Sequence, residues 1–274
     1  MKRAVRWAIG LVAGAVFLAP LAWLLAASFL PSSSIFDVEL GGSPLARDWT
    51  LANYPNAFRR AGLGRALLNS LLQVLTIALG GLLVNSMAAF AFARLSFRGR
   101  EPLFAVVVSL IILPVEVLAV PMFLTTRDLG LFGSTAPVVV ALSLPFVAKA
   151  FNVYFLRQQF LSWPTELEEA AVLDGASTWR VFWSVALPSI RPALATVLLL
   201  DVVTHWSDFL WPLLVTPREG SRTVQIGLAN LFTEPPIDWG AILACAVLAT
   251  LPVMVAFRSL QRHVVQADAR VGLR

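Results

Sequence analysis

One cysteine, two histidines and only 14% charged residues leave this 274-residue chain poor in the side chains that most often carry chemistry. A lone thiol, Cys245, in an apolar run excludes an internal disulfide framework and a cysteine metal site. No cluster of histidine, cysteine or carboxylate has metal-ligand spacing, and no nucleophile and base form a recognisable set, so neither a metal site nor a catalytic residue is expected. Nothing matches G-x-x-x-x-G-K-[ST], so no phosphate-cradling loop of Walker type is present and no cofactor is expected in this chain. The net charge of +5 does not point to nucleic acid, because the basic residues are scattered at the ends of apolar segments rather than clustered with aromatics.

What the chain has in excess is apolar surface: 58% of its residues are hydrophobic, and its mean hydropathy is +0.78. That is too apolar for an ordinary soluble domain, and the solvent it suits is a bilayer. A hydrocarbon core about 30 Å thick takes roughly 20 apolar residues per helix. Six stretches qualify, at about 7–29, 67–93, 102–124, 136–157, 189–215 and 239–258. The expected fold class is therefore all-α, a polytopic membrane protein with six transmembrane helices in a single domain over 1–274. Pro114 and Pro121 in the third stretch, Pro145 in the fourth and Pro212 in the fifth predict kinks, tolerable where neighbours satisfy the freed carbonyls.

Arginine and lysine set the orientation. With a cytoplasmic N-terminus, 14 of the 21 basic residues fall on inner segments and 7 on outer ones, which predicts both termini cytoplasmic. The start "MKRAVR" followed by an apolar run also has the form of a secretory signal peptide, but the run exceeds the usual length of such a core, so a retained helix is expected. Residues 30–66 then form an external loop with Pro31, Gly41, Gly42 and Pro44 as turn formers.

The connection at 158–188 is the unusual part, a polar cytoplasmic segment between two apolar spans. Pro164 suits a first turn, Thr165 and Glu168 have capping-box spacing, and Glu166, Glu168 and Glu169 favour the positive end of a helix dipole. Asp174-Gly175 predicts a stop, because glycine tolerates the positive φ a stop requires. Ser177 or Thr178 can cap a second helix, in which Trp179, Phe182, Trp183 and Ala186 share one face.

These residues resemble the EAA loop of ABC importer permeases: Glu169-Ala170-Ala171, three residues, Gly175, nine residues, then Val185-Ala186-Leu187-Pro188, with valine where the family usually has isoleucine. "WTLANYPNAF", "NSLL", "AAFAFARLSFRGR", "FLRQQFLSWPTELEEAA", "HWSDFLWPLLV" and "DWGAILACAVLATLPV" extend the resemblance to carbohydrate-importer permeases of the maltose-type G-subunit group. The chain reads Trp206-Ser207-Asp208 where Trp-Asn-Asp is common there, and its tail "QADARVGLR" matches only loosely.

The resemblance implies a type I importer permease fold in the bacterial cytoplasmic (inner) membrane. It implies a non-catalytic subunit that forms half of a translocation pathway. The partners it implies are a second permease subunit, a cytoplasmic ATPase dimer that binds the ATP and magnesium, an extracytoplasmic solute-binding protein and a carbohydrate substrate. Glu169, Ala170, Ala171, Asp174, Gly175, Leu187 and Pro188 would belong to the surface that couples to the ATPase.

Inside the spans, Asp201, His205 and Asp208 recur at i, i+4 and i+7 and are expected on one helical face. A charge at mid-bilayer costs about 2.5–3.5 kcal/mol on insertion scales, so such a stripe should face protein or water. With Trp206 and Trp211, which can either stack on sugar rings or anchor the helix at the interface, these residues are the candidates for a substrate pathway. Glu116 and Lys149 can pair with each other or find separate partners in a second subunit. The same buried charges leave a proton-coupled secondary transporter as the alternative, although no internal repeat is visible. The substrate stays open among di- and oligosaccharides, amino sugars, polyols and glycerophosphate-type solutes.

Overall fold

The computed structural model describes residues 2–36, 48–132 and 138–271, with side chains from 5 to 261 within these. Gly41, Gly42 and Pro44, the first residues of the fourth expected span and the side chain of His263 lie outside the described residues. Every regular element among the described residues is helical. The chain divides into two compact units, one from residues 1–68 and 218–252, the other from 69–217 and 253–274.

Among the described residues three helices are long and apolar enough to cross a membrane: Val5–Ala27 within α1 (Lys2–Ala27), the run Leu63–Arg94, and Trp239–Gln261 within α15 (Trp239–Val271). The Leu63–Arg94 run comprises α3 (Leu63–Leu75), a π-turn at Thr76–Gly80, and α4 (Gly81–Arg94).

The third and fourth expected spans are bent pairs rather than continuous helices, and a further pair, Thr178–Ser189 with Arg191–Trp206, runs from the expected connection into the fifth; only if each pair is one span does the number reach 6. The third breaks between α5 (Arg100–Ser109, extended by a 3-10 turn to Ile112) and α6 (Val115–Asp128), with a bend of 107°. The cause is local: a residue before proline is pushed out of the α region, and Leu113 before Pro114 is extended at φ −75, ψ 118. The fourth bends by 51° between α7 (Val138–Ser143, extended to Phe146) and α8 (Ala150–Ser162). Here the break falls at the extended Lys149, after Pro145 rather than at it. That further pair bends by 78° at Ile190, just before the helix that opens with Arg191-Pro192, and the expected fifth span is itself interrupted between Trp206 and Leu210.

In the unit built on 1–68 and 218–252, α2 (Asn53–Arg60) is pinned by Asn53, whose Nδ2 donates at 2.8 Å to the carbonyls of Ser28 and Leu30. Gly240, at the start of α15, is required there, since a Cβ on it would overlap the Asn53 side-chain amide. Asp238 knots the same region: its carboxylate accepts from Ser32 Oγ, from the Ala241 N–H at 3.0 Å and from Asn56, with Arg60 at 3.8 Å.

The other unit has its core where α4 packs on α8, with Phe90, Leu156, Phe160, Phe182 and Val197 buried together. Phe90 meets Phe160 edge-on at 5.5 Å and Phe182 at 5.3 Å. A second cluster joins Ile77, Leu142, Phe146, Trp211 and Val215. These two clusters position everything that follows.

Candidate functional site

The polar connection is built as two short helices set by local chemistry. Trp163 is extended ahead of Pro164, and α9 (Thr165–Leu173) begins immediately after it. The expected capping box does not form: Pro164 is the N-cap, with no side-chain cap, and Glu168 turns instead toward Arg94, 3.7 Å away. Arg94 is nearly buried at the end of α4, where its guanidinium donates to the carbonyls of Phe160 and Trp163 and lies 5.1 Å over the Trp163 ring. The carboxylate is thus worth more as the partner of a desolvated cation than as a cap exposed to solvent.

The stop at Gly175 is as expected. Its φ is +81, the Gly175 N–H donates to Val172 and the Ala176 N–H to Ala171, both at 2.9 Å, and the two bonds close a Schellman motif. Ser177, not Thr178, caps α10 (Thr178–Val181), accepting from the Arg180 N–H at 3.4 Å. Beyond it a π-turn at Phe182–Ala186 leads into α11 (Leu187–Ser189).

That π-turn breaks the 3.6-residue spacing, so the four side chains expected on one face divide. Phe182 and Ala186 are buried, Leu187 packs partly on the same core, and Trp179 and Trp183 stay exposed with their rings 5.6 Å apart. Glu169, Ala170 and Asp174 are exposed and Ala171 half-buried; Leu173, beside the turn, is 88% exposed. Among the described residues the connection therefore presents an uncovered edge of both apolar and acidic groups.

The second polar region lies at the break in the fourth bent pair. Asn85 on α4 clamps both sides of that break, donating from Nδ2 to the Val147 carbonyl at 3.1 Å and accepting the Lys149 N–H at 2.9 Å. Gly81 allows the approach, since a Cβ there would stand 3.1 Å from the same Val147 carbonyl. Lys149 Nζ then reaches Asp201 Oδ1 at 2.6 Å on α12 (Arg191–Trp206), while Asn152 Nδ2 donates to the other oxygen at 2.9 Å.

Of the two arrangements left open for Glu116 and Lys149, the mutual pair is therefore not made, and Glu116 is exposed in the first turn of α6. Asp201 is the better partner because it is fully buried and a second donor completes its shell. Neither asparagine was among the expected site residues, although an asparagine within an apolar run is the signal that marks such a clamp.

The proposed stripe is also altered. Asp201 and His205 lie on α12 and are buried, but α12 ends at Trp206 and Ser207, so Asp208 is outside it. Asp208 instead accepts backbone N–H groups of Trp211 and Phe209 at the start of α13 (Leu210–Val215). Helical continuity fails there, yet the turn returns Asp208 to a cavity of about 220 Å³ that His205, Lys149, Thr204, Phe146 and Trp211 also line. Trp211 is buried, with Nε1 donating to the Ala141 carbonyl at 3.1 Å and its ring edge-on to Phe146. Trp206 is buried as well and does not line this cavity. Among the described residues no group of histidine, cysteine and carboxylates is arranged to hold a metal ion.

With this geometry in view, four likenesses to known proteins can be set beside it, three of family and sequence and one of fold. Residues 65–267 match the family model described as binding-protein-dependent transport system inner membrane component. The diacetylchitobiose uptake system permease protein of Streptomyces coelicolor is 30% identical over 254 residues, 91% of this chain and 82% of that one. The sn-glycerol-3-phosphate transport system permease protein of Agrobacterium fabrum is 32% identical over 264 residues, 93% and 92% of the two chains. Among solved structures, a bacterial ABC transporter involved in import of the acidic polysaccharide alginate shares the fold at TM-score 0.79, with 21% identity over 95% of each chain.

Proposed function

The chain belongs to the family of binding-protein-dependent transport system inner membrane components, and from that premise we propose that it is a permease subunit of an ATP-driven carbohydrate importer. It forms half of a translocation pathway in a bacterial inner membrane, with a second permease subunit as the other half. Both termini and the 158–188 connection face the cytoplasm, in keeping with the excess of arginine and lysine on that side. An extracytoplasmic solute-binding protein delivers the substrate, and a pair of ATPase subunits binds ATP and magnesium. This chain is not itself catalytic.

The observation that carries the reading is the uncovered edge of α9, Gly175 and α10 on an otherwise apolar chain. Leu173 at 88% exposure, beside exposed Glu169 and Asp174, has the composition of a contact surface rather than of a membrane face or a solvated loop. Glu169, Ala170, Ala171, Asp174 and Gly175 seat it on the ATPase, and Leu187-Pro188 anchors its far end. Coupling is mechanical: closure of the ATPases displaces the connection, and the helices rooted in the same core move with it. Asp201, His205, Trp206, Asp208 and Trp211 belong to the pathway side.

A mild-detergent pull-down of the tagged chain from its native cells, with mass spectrometry of what co-purifies, tests the assembly. Recovery of an ATPase and a second permease is expected. Recovery of this chain alone, repeated after cross-linking, overturns it in favour of a self-sufficient transporter.

A further inference from the structure

The cavity between α6, the fourth bent pair and α12 contains one group that the surrounding polar network leaves unused. His205 is 5% exposed, and neither of its ring nitrogens has a hydrogen-bond partner among the described residues. Its ring packs 4.8 Å from that of Phe146, which orients the imidazole without satisfying it. A buried polar group without a partner costs about 1–3 kcal/mol, so its retention calls for a ligand that supplies what the protein does not.

The neighbours define the chemistry of that ligand. Thr204, Asp208 and Lys149 line the cavity beside it, in a wall that is otherwise mainly apolar and includes Val115, Met122 and Trp211. The ammonium is no free cation: Asp201 holds it at 2.6 Å from a site that is itself 2% exposed. Set against Lys149, the carboxylates Asp201 and Asp208 leave the cavity without surplus positive charge. A phosphate or carboxylate would therefore enter a site with no uncompensated cation and with Asp208 on its wall, at the cost of desolvating a second anion. A hydroxyl group meets no such penalty, since it donates to the carboxylate or to one imidazole nitrogen and accepts from the other.

We infer that His205, with Thr204 and Asp208, forms a hydroxyl-binding subsite inside this chain, selective for uncharged polyhydroxylated solutes over phosphorylated or carboxylated ones. The inference rests on the importer reading and narrows it, choosing between the chemistries of the diacetylchitobiose and glycerol-phosphate permeases to which the chain is similar.

The test uses the complete transporter in cells that carry or lack this chain, with uptake measured for matched pairs: glucose, maltose, cellobiose and glycerol against glucose 6-phosphate, glucuronate and glycerol 3-phosphate. Chain-dependent uptake of an uncharged member is expected. His205→Phe should then raise the KM of that uptake about tenfold, the loss of one well-made hydrogen bond, whereas His205→Gln, which keeps a donor and an acceptor, should stay within about threefold of wild type. Equal amounts of assembled complex in the membranes separate this from misfolding; if the Phe variant fails to assemble, Thr204→Val supplies the same comparison. Chain-dependent uptake of an anionic member, or one KM shared by all variants, overturns the subsite and leaves the importer reading standing. Absence of any chain-dependent uptake overturns the subsite as well, and the pull-down then decides the importer reading.

Discussion

At the residue scale, the pair Lys149–Asp201 shows how an apolar chain tolerates charge. Each ion is costly in a low-dielectric interior, and the cost is met by a 2.6 Å contact plus Asn152 on the remaining carboxylate oxygen. Removing one partner strands the other. Asp201→Ala is therefore expected to destabilise the protein by about 3–5 kcal/mol, whereas the double change Lys149→Met with Asp201→Leu should recover most of that loss. Thermal unfolding of the purified variants in detergent measures both. Asp238 supplies a second residue-scale case, outside the spans. Partial burial pushes its carboxyl upward, but the bonds from Ser32, the Ala241 N–H and Asn56, together with the nearby Arg60, outweigh this and hold it below the usual carboxylate range. A carboxyl lowered by folding contributes stability above its unfolded value of about 3.9 and loses it as pH falls through the folded value. Acid titration of near-ultraviolet dichroism should thus show wild type losing stability below about pH 4 relative to its neutral value, and Asp238→Asn losing less over the same interval.

At the element scale, the breaks matter more than the helices. Two of them, at Pro114 and at Ile190 before Arg191-Pro192, follow from proline's demand on its predecessor and its place in a first turn. The third, at Lys149, falls at no proline; it is held open by Asn85, which takes up the Val147 carbonyl and the Lys149 N–H that helix geometry would otherwise have paired. The stop at Gly175 is the element-scale feature on which the proposed coupling depends. Valine at φ +81 costs about 1–3 kcal/mol of local strain, which the exposed turn can relieve only by changing the angle between α9 and α10. Gly175→Val should therefore insert in normal amounts yet bring down several-fold less ATPase in the pull-down, while Gly175→Asn, which tolerates the left-handed region, should bring down nearly as much as wild type. Normal association by the valine variant would remove the hinge role.

At the scale of the whole molecule, the prediction concerns sidedness. With the native Cys245 replaced by Ala, single cysteines at Leu173 and at Leu51 should react from opposite sides of the membrane with an impermeant maleimide; both positions are exposed. Labelling at Leu51 in intact spheroplasts and at Leu173 only after permeabilisation is expected. The reverse pattern would invert the proposed topology.

By itself the sequence determined the solvent, the helical class and the outline of the polar connection, because hydrophobic run length, proline and glycine act locally and leave their mark within a few residues. Gly175 was legible for that reason, its positive φ being a demand on one residue. Partnership across the fold was not legible. Glu168 has the spacing of a capping box, but Arg94, some seventy residues earlier, needs a counter-charge more than the helix needs a cap. Lys149 has Glu116 as a plausible mate along the chain, yet tertiary packing gives it Asp201, and the end of α12 at Trp206 and Ser207 returns Asp208 to the cavity by a turn rather than by helical periodicity. Burial decides such choices, since the attraction between two charges and the cost of leaving one alone both grow as water is excluded, and burial belongs to the folded chain rather than to any stretch of its sequence.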